Sequence, residues 1–99
     1  MIEHTVSFRL VHPDGSEAEQ EFLSHARAVL SAVPGVQAFV VHRQVSPKSP
    51  HRFQFTMRFA DEQAYRAYDE HPDHVRFVAE RWLPEVAEFQ ELDLTAWVP

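Results

Sequence analysis

No cysteine occurs in the 99 residues. That excludes disulfides, thiolate nucleophiles and cysteine-based zinc sites, so redox chemistry would need a cofactor. The two glycines, Gly15 and Gly35, are too few for a glycine-rich phosphate loop or a GxSxG nucleophile elbow. Basic residues are scarce: nine Lys and Arg against fifteen Asp and Glu leave a net charge of −6 with histidine neutral. That field repels phosphate backbones, so nucleic acid is not expected as a partner. Nowhere do about eighteen apolar residues follow one another, and the opening MIEHTVSFRL lacks the basic flank and long apolar run of a signal peptide. A soluble, cytoplasmic protein without a membrane partner is the expectation.

What the chain has is apolar and aromatic residues. A hydrophobic share of 44 %, with eight phenylalanines, is too high for a disordered chain and suits one globular domain over residues 1–99. A domain of this length buries only about two thirds of the surface its unfolded chain exposes. Its stability is thin, and a partner surface would help.

Alternation marks the strands. Ile2, His4, Val6, Phe8 and Leu10 share one face of a first strand, and Glu3, Thr5, Ser7 and Arg9 the other. Ser16 and Glu19 form a capping box for a helix to about Ala32, with Phe22, Ala26, Val29 and Val33 as its apolar stripe. Pro34-Gly35 ends it, and a second strand follows from Val36 to about Val45 with apolar residues on both faces. The loop Ser46 to Pro50 holds the one lysine, Lys48. Phe53, Phe55, Met57 and Phe59 alternate with Gln54, Thr56 and Arg58 in the third strand. Asp61 can cap a helix carrying Ala64, Tyr65 and Tyr68 that stops before Pro72, and Pro72 suits the first turn of the next, which uses Val75, Phe77, Val78, Trp82 and Leu83 and ends at Pro84. A fourth strand is expected from near Phe89 to Trp97. The order β-α-β-β-α(α)-β predicts an α+β, ferredoxin-like four-stranded antiparallel sheet with helices on one face.

Seven histidines are present, and three sit where chemistry is conceivable. His4 lies on the apolar face of the first strand, where it either makes one satisfied hydrogen bond in the core or lines a cavity. Tyr68 and His74 flank the junction in Tyr68-Asp69-Glu70-His71-Pro72-Asp73-His74. An imidazole beside a phenol would supply a proton acceptor and a donor, the pair needed to enolise one carbonyl while stabilising another. The same residues could equally serve packing and helix capping. His4, His71, His74 and Asp73 could in principle hold a metal, but HxxH across a helix start lacks the geometry of HExxH, and no metal or other cofactor is expected. The acidic residues Glu80, Glu85, Glu88 and Glu91 read as solvated surface.

The opening strand His4-Thr5-Val6-Ser7-Phe8, the Pro34-Gly35 turn, the aromatic strand FQFTMRF at 53–59 and the junction Tyr68-x-x-His71-Pro72-x-His74 resemble the stress-responsive alpha/beta-barrel (Dabb) family almost end to end. The resemblance implies a homodimer through the sheet face, the two sheets forming a dimeric alpha/beta barrel. The enzyme type it is similar to is the olivetolic acid cyclase-like polyketide cyclase, which performs an intramolecular aldol condensation without a cofactor. Carried over, His74 would be the base, Tyr68 would hydrogen-bond the thioester oxygen as charge develops, and His4 would line the pocket. His71 would shape the junction. Asp69 and Glu70, acidic here where that cyclase has apolar residues, are expected to face water. The resemblance leaves two functional classes open: a small cofactor-independent enzyme acting on an apolar, carbonyl-rich molecule, and a non-catalytic dimeric stress-responsive or small-molecule-binding protein.

Overall fold

A computed structural model describes residues 1–99. Strand β1 (Ile2–Leu10) leads to helix α1 (Glu17–Leu30), then to β2 (Gln37–Arg43) and β3 (Phe53–Phe59). Helices α2 (Glu62–Glu70) and α3 (Pro72–Phe77) run into a π turn (Val78–Trp82), a last helical turn α4 (Leu83–Glu85) and strand β4 (Val86–Leu94). The strands form one antiparallel sheet in the order β2-β3-β1-β4, and the fold is α+β, ferredoxin-like.

The core forms where the alternation puts it. Val6, Phe8 and Leu10 of β1 and Phe53, Phe55, Met57 and Phe59 of β3 are buried against Phe22, Ala26 and Leu30 of α1. Phe8 is its hub, with ring centroids 4.7 Å from Phe55, 5.0 Å from Trp82, 6.0 Å from Phe53 and 6.2 Å from Phe22. The edge-on geometry of its Phe55 and Trp82 contacts is one that aromatic quadrupoles favour. At the start of α1, Ser16 Oγ accepts from Glu19 N–H at 3.2 Å, while the buried Glu19 carboxylate reaches back to Gly15 N–H at 3.1 Å. The expected capping box is thus present, its return bond made one residue earlier than in the usual form.

Three expectations need correction. The apolar residues on both faces of β2 have a cause: Ala38 and Phe39 together face Met57, since Gln37 pairs with Arg58 and Val40 with Thr56. Ala38 takes φ 52°, a left-handed conformation costing an L-residue about 1–2 kcal/mol. This bulge turns Phe39 toward the core, 5.3 Å from Phe55.

The second correction concerns the run after Pro72. It does not end at Pro84 and is not a regular helix, because Leu83 N–H donates to Val78 C=O, an i→i−5 bond. Phe77 and Trp82, five residues apart, would stand about 140° apart on a regular helix. The wider turn lets both be buried. Val75 and Leu83, expected in the apolar set, are exposed.

Third, β4 begins at Val86, earlier than expected, and stops at Leu94, leaving Trp97 exposed beyond it. Its alternation is masked. Phe89, Glu91 and Asp93 pair with Phe8, Val6 and His4 and so face the helices, whereas Leu92 and Leu94 pair with Thr5 and Glu3 and face the other way.

The hub role of Phe8 is testable. Phe8→Ala is expected to destabilise the protein by about 3–5 kcal/mol in urea unfolding, as for a large buried aromatic whose cavity cannot collapse. A loss below about 1 kcal/mol would contradict it.

Candidate functional site

The inner sheet face is fully covered over β1 and β3 but not toward β4. There, between β1, β4, the end of α2 and the π turn, lies a mostly apolar cavity of about 240 Å³ whose wall includes Phe55, Met57, Phe77, Trp82 and Phe89. His4, Tyr68, His74, Asp69 and Glu91 are its polar groups. The three candidate residues named from sequence therefore meet in one place.

Each arrives for a local reason. Asp61 Oδ1 caps α2 by accepting from Ala64 N–H at 2.8 Å, and the helix carries Tyr68 to its last turn. His71 then takes extended backbone, φ −63° and ψ 135°, closing α2 and capping α3 at once. This is the conformation that a following proline imposes. His71 Nδ1 accepts from Asp73 N–H at 3.1 Å. That residue shapes the junction and is absent from the cavity wall. In an unbroken helix, Tyr68 and His74 would point about 120° apart and sit about 9 Å apart along the axis. The break brings their rings to 4.4 Å between centroids.

Hydrogen bonds set the tautomers. His74 Nδ1–H donates to the Asp69 backbone carbonyl at 3.0 Å, leaving Nε2 as the unprotonated nitrogen of the neutral ring. His4 Nδ1–H donates to Asp93 Oδ1 at 2.6 Å, a carboxylate that can only accept, and Tyr65 O–H donates to the same carboxylate at 2.9 Å. The Nε2 atoms of His4 and His74 have no hydrogen-bond partner in the protein. In the neutral ring of either histidine the lone pair thus sits on Nε2, and the bond at Nδ1 orients the ring from behind.

Tyr68 is buried, yet its hydroxyl makes no hydrogen bond, and no buried side-chain polar atom in the structure lacks both partner and access. Its hydroxyl is thus an uncommitted group in the cavity wall. Burial pushes its ionisation well above the ordinary tyrosine range, and the negative charges of Asp69 and Glu91 add to the effect. Tyr68 remains a donor at any physiological pH. Tyr65 is raised as well, by burial first and then by its bond to Asp93.

Asp69 is exposed, as expected, and also borders the cavity and a larger, more open hollow of about 420 Å³ beyond Tyr65. Glu91 is exposed too, on the helix side of β4 opposite Val6, where it borders the cavity. Of the acidic residues expected as solvated surface, Glu85 is the exception: it is partly buried and bonded to Arg81 and His12. Sequence reasoning also missed Asp93 and Tyr65. Only strand pairing, His4 with Asp93, makes the first a partner of the histidine. No group of three or more His, Asp or Glu side chains is arranged to share a metal ion.

A family model described as the Stress responsive A/B Barrel Domain (Dabb) matches residues 2–96. A Dabb family protein with a ferredoxin-like fold from Mesorhizobium loti is 48 % identical, with a TM-score of 0.96 over 98 % of this chain and 97 % of that one. A dimeric ferredoxin-like protein of unknown function from Thermobifida fusca superposes with a TM-score of 0.78 at 19 % identity, over 96 % of this chain and 90 % of its own. A hydroxynitrile lyase from Passiflora edulis does so with 0.82 at 12 % identity, over 99 % and 96 %. The last two likenesses are of fold alone. No curated protein sequence matches the chain.

The two tyrosines, the only ones in the chain, allow an optical test of the site's electrostatics. An unfolded tyrosine ionises near pH 10, and both native phenols do so higher. The native state therefore holds more protons than the unfolded one above that pH, and stability falls as pH rises. Absorbance at 295 nm is expected to stay flat through pH 10–11 and to rise only with alkaline unfolding. Ordinary titration near pH 10 with the fold intact would contradict the burial argument.

Proposed function

This chain belongs to the stress-responsive A/B barrel (Dabb) family, and from that premise we propose that it is a small cofactor-independent enzyme using acid–base chemistry on a carbonyl compound, of the polyketide-cyclase, intramolecular aldol type. The observation that carries this reading is the convergence of His4, Tyr68 and His74 on one mostly apolar cavity, with the Tyr68 hydroxyl uncommitted.

The roles follow from the donors and acceptors. His74 Nε2 takes a proton from a carbon lying between two carbonyl groups, while its Nδ1–H stays on the Asp69 carbonyl and fixes the ring. Tyr68 donates to the oxygen that gains charge as the enolate forms. The enolate carbon attacks a second carbonyl of the same molecule, and the new alkoxide recovers the proton from the His74 imidazolium. His4, oriented by Asp93, holds an oxygen of the ligand or a water. Ligand pockets commonly run from about 300 to 1,000 Å³. At about 240 Å³ the cavity favours a compact substrate over a long chain.

The outer sheet face carries the second part of the proposal, a homodimer through that face. Val40, Leu92 and Leu94 stand exposed on it beside Thr56, Gln54 and the Glu3–Arg58 pair. A second copy laid on this face would cover apolar area that a chain of this size leaves open.

Deuterium uptake at the activated carbon of a short β-ketothioester, followed by proton NMR at a pH where the spontaneous reaction takes hours, tests the chemistry. The wild type is expected to accelerate it, His74→Ala to lower the catalysed rate about 100-fold or more, and Tyr68→Phe at least about tenfold. Full activity in His74→Ala would remove that residue as the base. Binding without any acceleration would favour the non-catalytic binding protein instead. Independently, sedimentation at micromolar concentration is expected to give a dimer for the wild type and for His74→Ala, and a monomer would contradict the sheet-face assembly.

A further inference from the structure

The cavity wall contains no lysine or arginine. Its charged members are both acidic and stand on opposite sides: Asp69 at the end of α2, Glu91 on β4. Neither carboxylate forms an ion pair. The ten ion pairs of the chain engage other groups, among them Arg81 with Glu21 and Glu85, Arg58 with Glu3, and Arg9 with Glu88. Asp69 and Glu91 are both solvent-exposed, so a ligand between the helices and the sheet would lie beside two carboxylates that no cation of the protein offsets. Asp69 also borders the open hollow next to the cavity, so it stands where the cavity meets the surface.

We propose that Asp69 and Glu91 act as a charge filter, so that the site accepts uncharged carbonyl compounds, ketones or esters, and rejects carboxylates and phosphates. This rests on the carbonyl chemistry proposed above and names the charge class of its substrate. An anion entering the cavity would leave water for a mostly apolar wall and meet like charge on both sides, with no cation to offset either cost. A neutral carbonyl loses little on transfer and recovers a hydrogen bond from Tyr68. An ammonium would be attracted by the carboxylates, but the remaining polar wall offers it only histidine nitrogens and a donor phenol, and its own desolvation opposes entry. The neighbouring carboxylates reach the wall itself: burial is the first cause of the raised Tyr68 ionisation, and the charges of Asp69 and Glu91 add to it.

Three probes of matched shape test the filter: 4-phenylbutan-2-one, 3-phenylpropanoate and 3-phenylpropylammonium, with binding measured by NMR titration at low ionic strength. The ketone is expected to bind best and the carboxylate at least about tenfold more weakly. In Asp69→Asn/Glu91→Gln the ketone-to-carboxylate ratio is expected to fall to about threefold or less. A ratio unchanged in that double variant, or equal binding of ketone and carboxylate by the wild type, overturns the filter. Preferred binding of the ammonium overturns it in favour of a cation site. If the filter fails while the β-ketothioester exchange still depends on His74, the carbonyl chemistry stands without it. If no probe binds and no exchange is catalysed, both fall together.

Discussion

Pro72 has no N–H to donate, and it forces the residue before it out of the helical region. The inner side of the protein is organised by that constraint. His71, held extended, ends α2 and starts α3, so α2 stays beside Phe59 and His4 while the next run leads toward Phe8 at the other end of β1. One helix delivers Tyr68 and the next delivers His74, at a separation no continuous helix allows. That run then meets a second constraint, the burial of both Phe77 and Trp82, and a π turn satisfies it in the wall of the same cavity. Two departures from regular helix, one at each end of α3, together define the space between helices and sheet.

Packing is uneven by design of the sequence. The aromatic alternation of β1 and β3 fills the middle of the sheet, and Phe8 gathers four rings around itself. On β4, the strand beyond β1, the inward positions pass from Phe89 to Glu91 to Asp93. Carboxylates there cannot be buried without partners. The helices accordingly leave that side open, and the opening is the cavity. Asp93 finds its partners in His4 and Tyr65, whereas Glu91 stays uncompensated at the wall. The polarity that prevents close packing thus also sets the field of the site.

At the far end of the β4 helix connection, Arg81 bonds Glu21 of α1 at 2.6 Å and also Glu85, which accepts from His12 at 2.7 Å. The Arg81 guanidinium holds the Glu85 carboxyl below the usual range, with His12 contributing less. This clasp joins α1, the π turn and the segment after β1. It lies away from the cavity and has a structural role: it fixes the π turn that carries Trp82.

Much of this was legible in the residues. Strict alternation in β1 and β3, a capping box at Ser16 and the stop before Pro72 are local signals, because backbone sterics and neighbouring hydrogen bonds decide them within a few residues. They determine the order of elements and the α+β class, and the shared pattern at Tyr68, His71, Pro72 and His74 pointed to the family. What is set by contacts distant in sequence was not legible. The bulge at Ala38, the π turn and the true span of β4 each depend on which partner strand or core ring lies opposite. The pairing of His4 with Asp93, 89 positions away, and the placement of Asp69 and Glu91 beside the cavity depend on sheet register and on the angle at which α2 meets α3. Sequence alone determined which side chains could do chemistry; tertiary structure decided which of them meet and in what field, because a one-residue change of register would send the whole inner row of β4 to the opposite face.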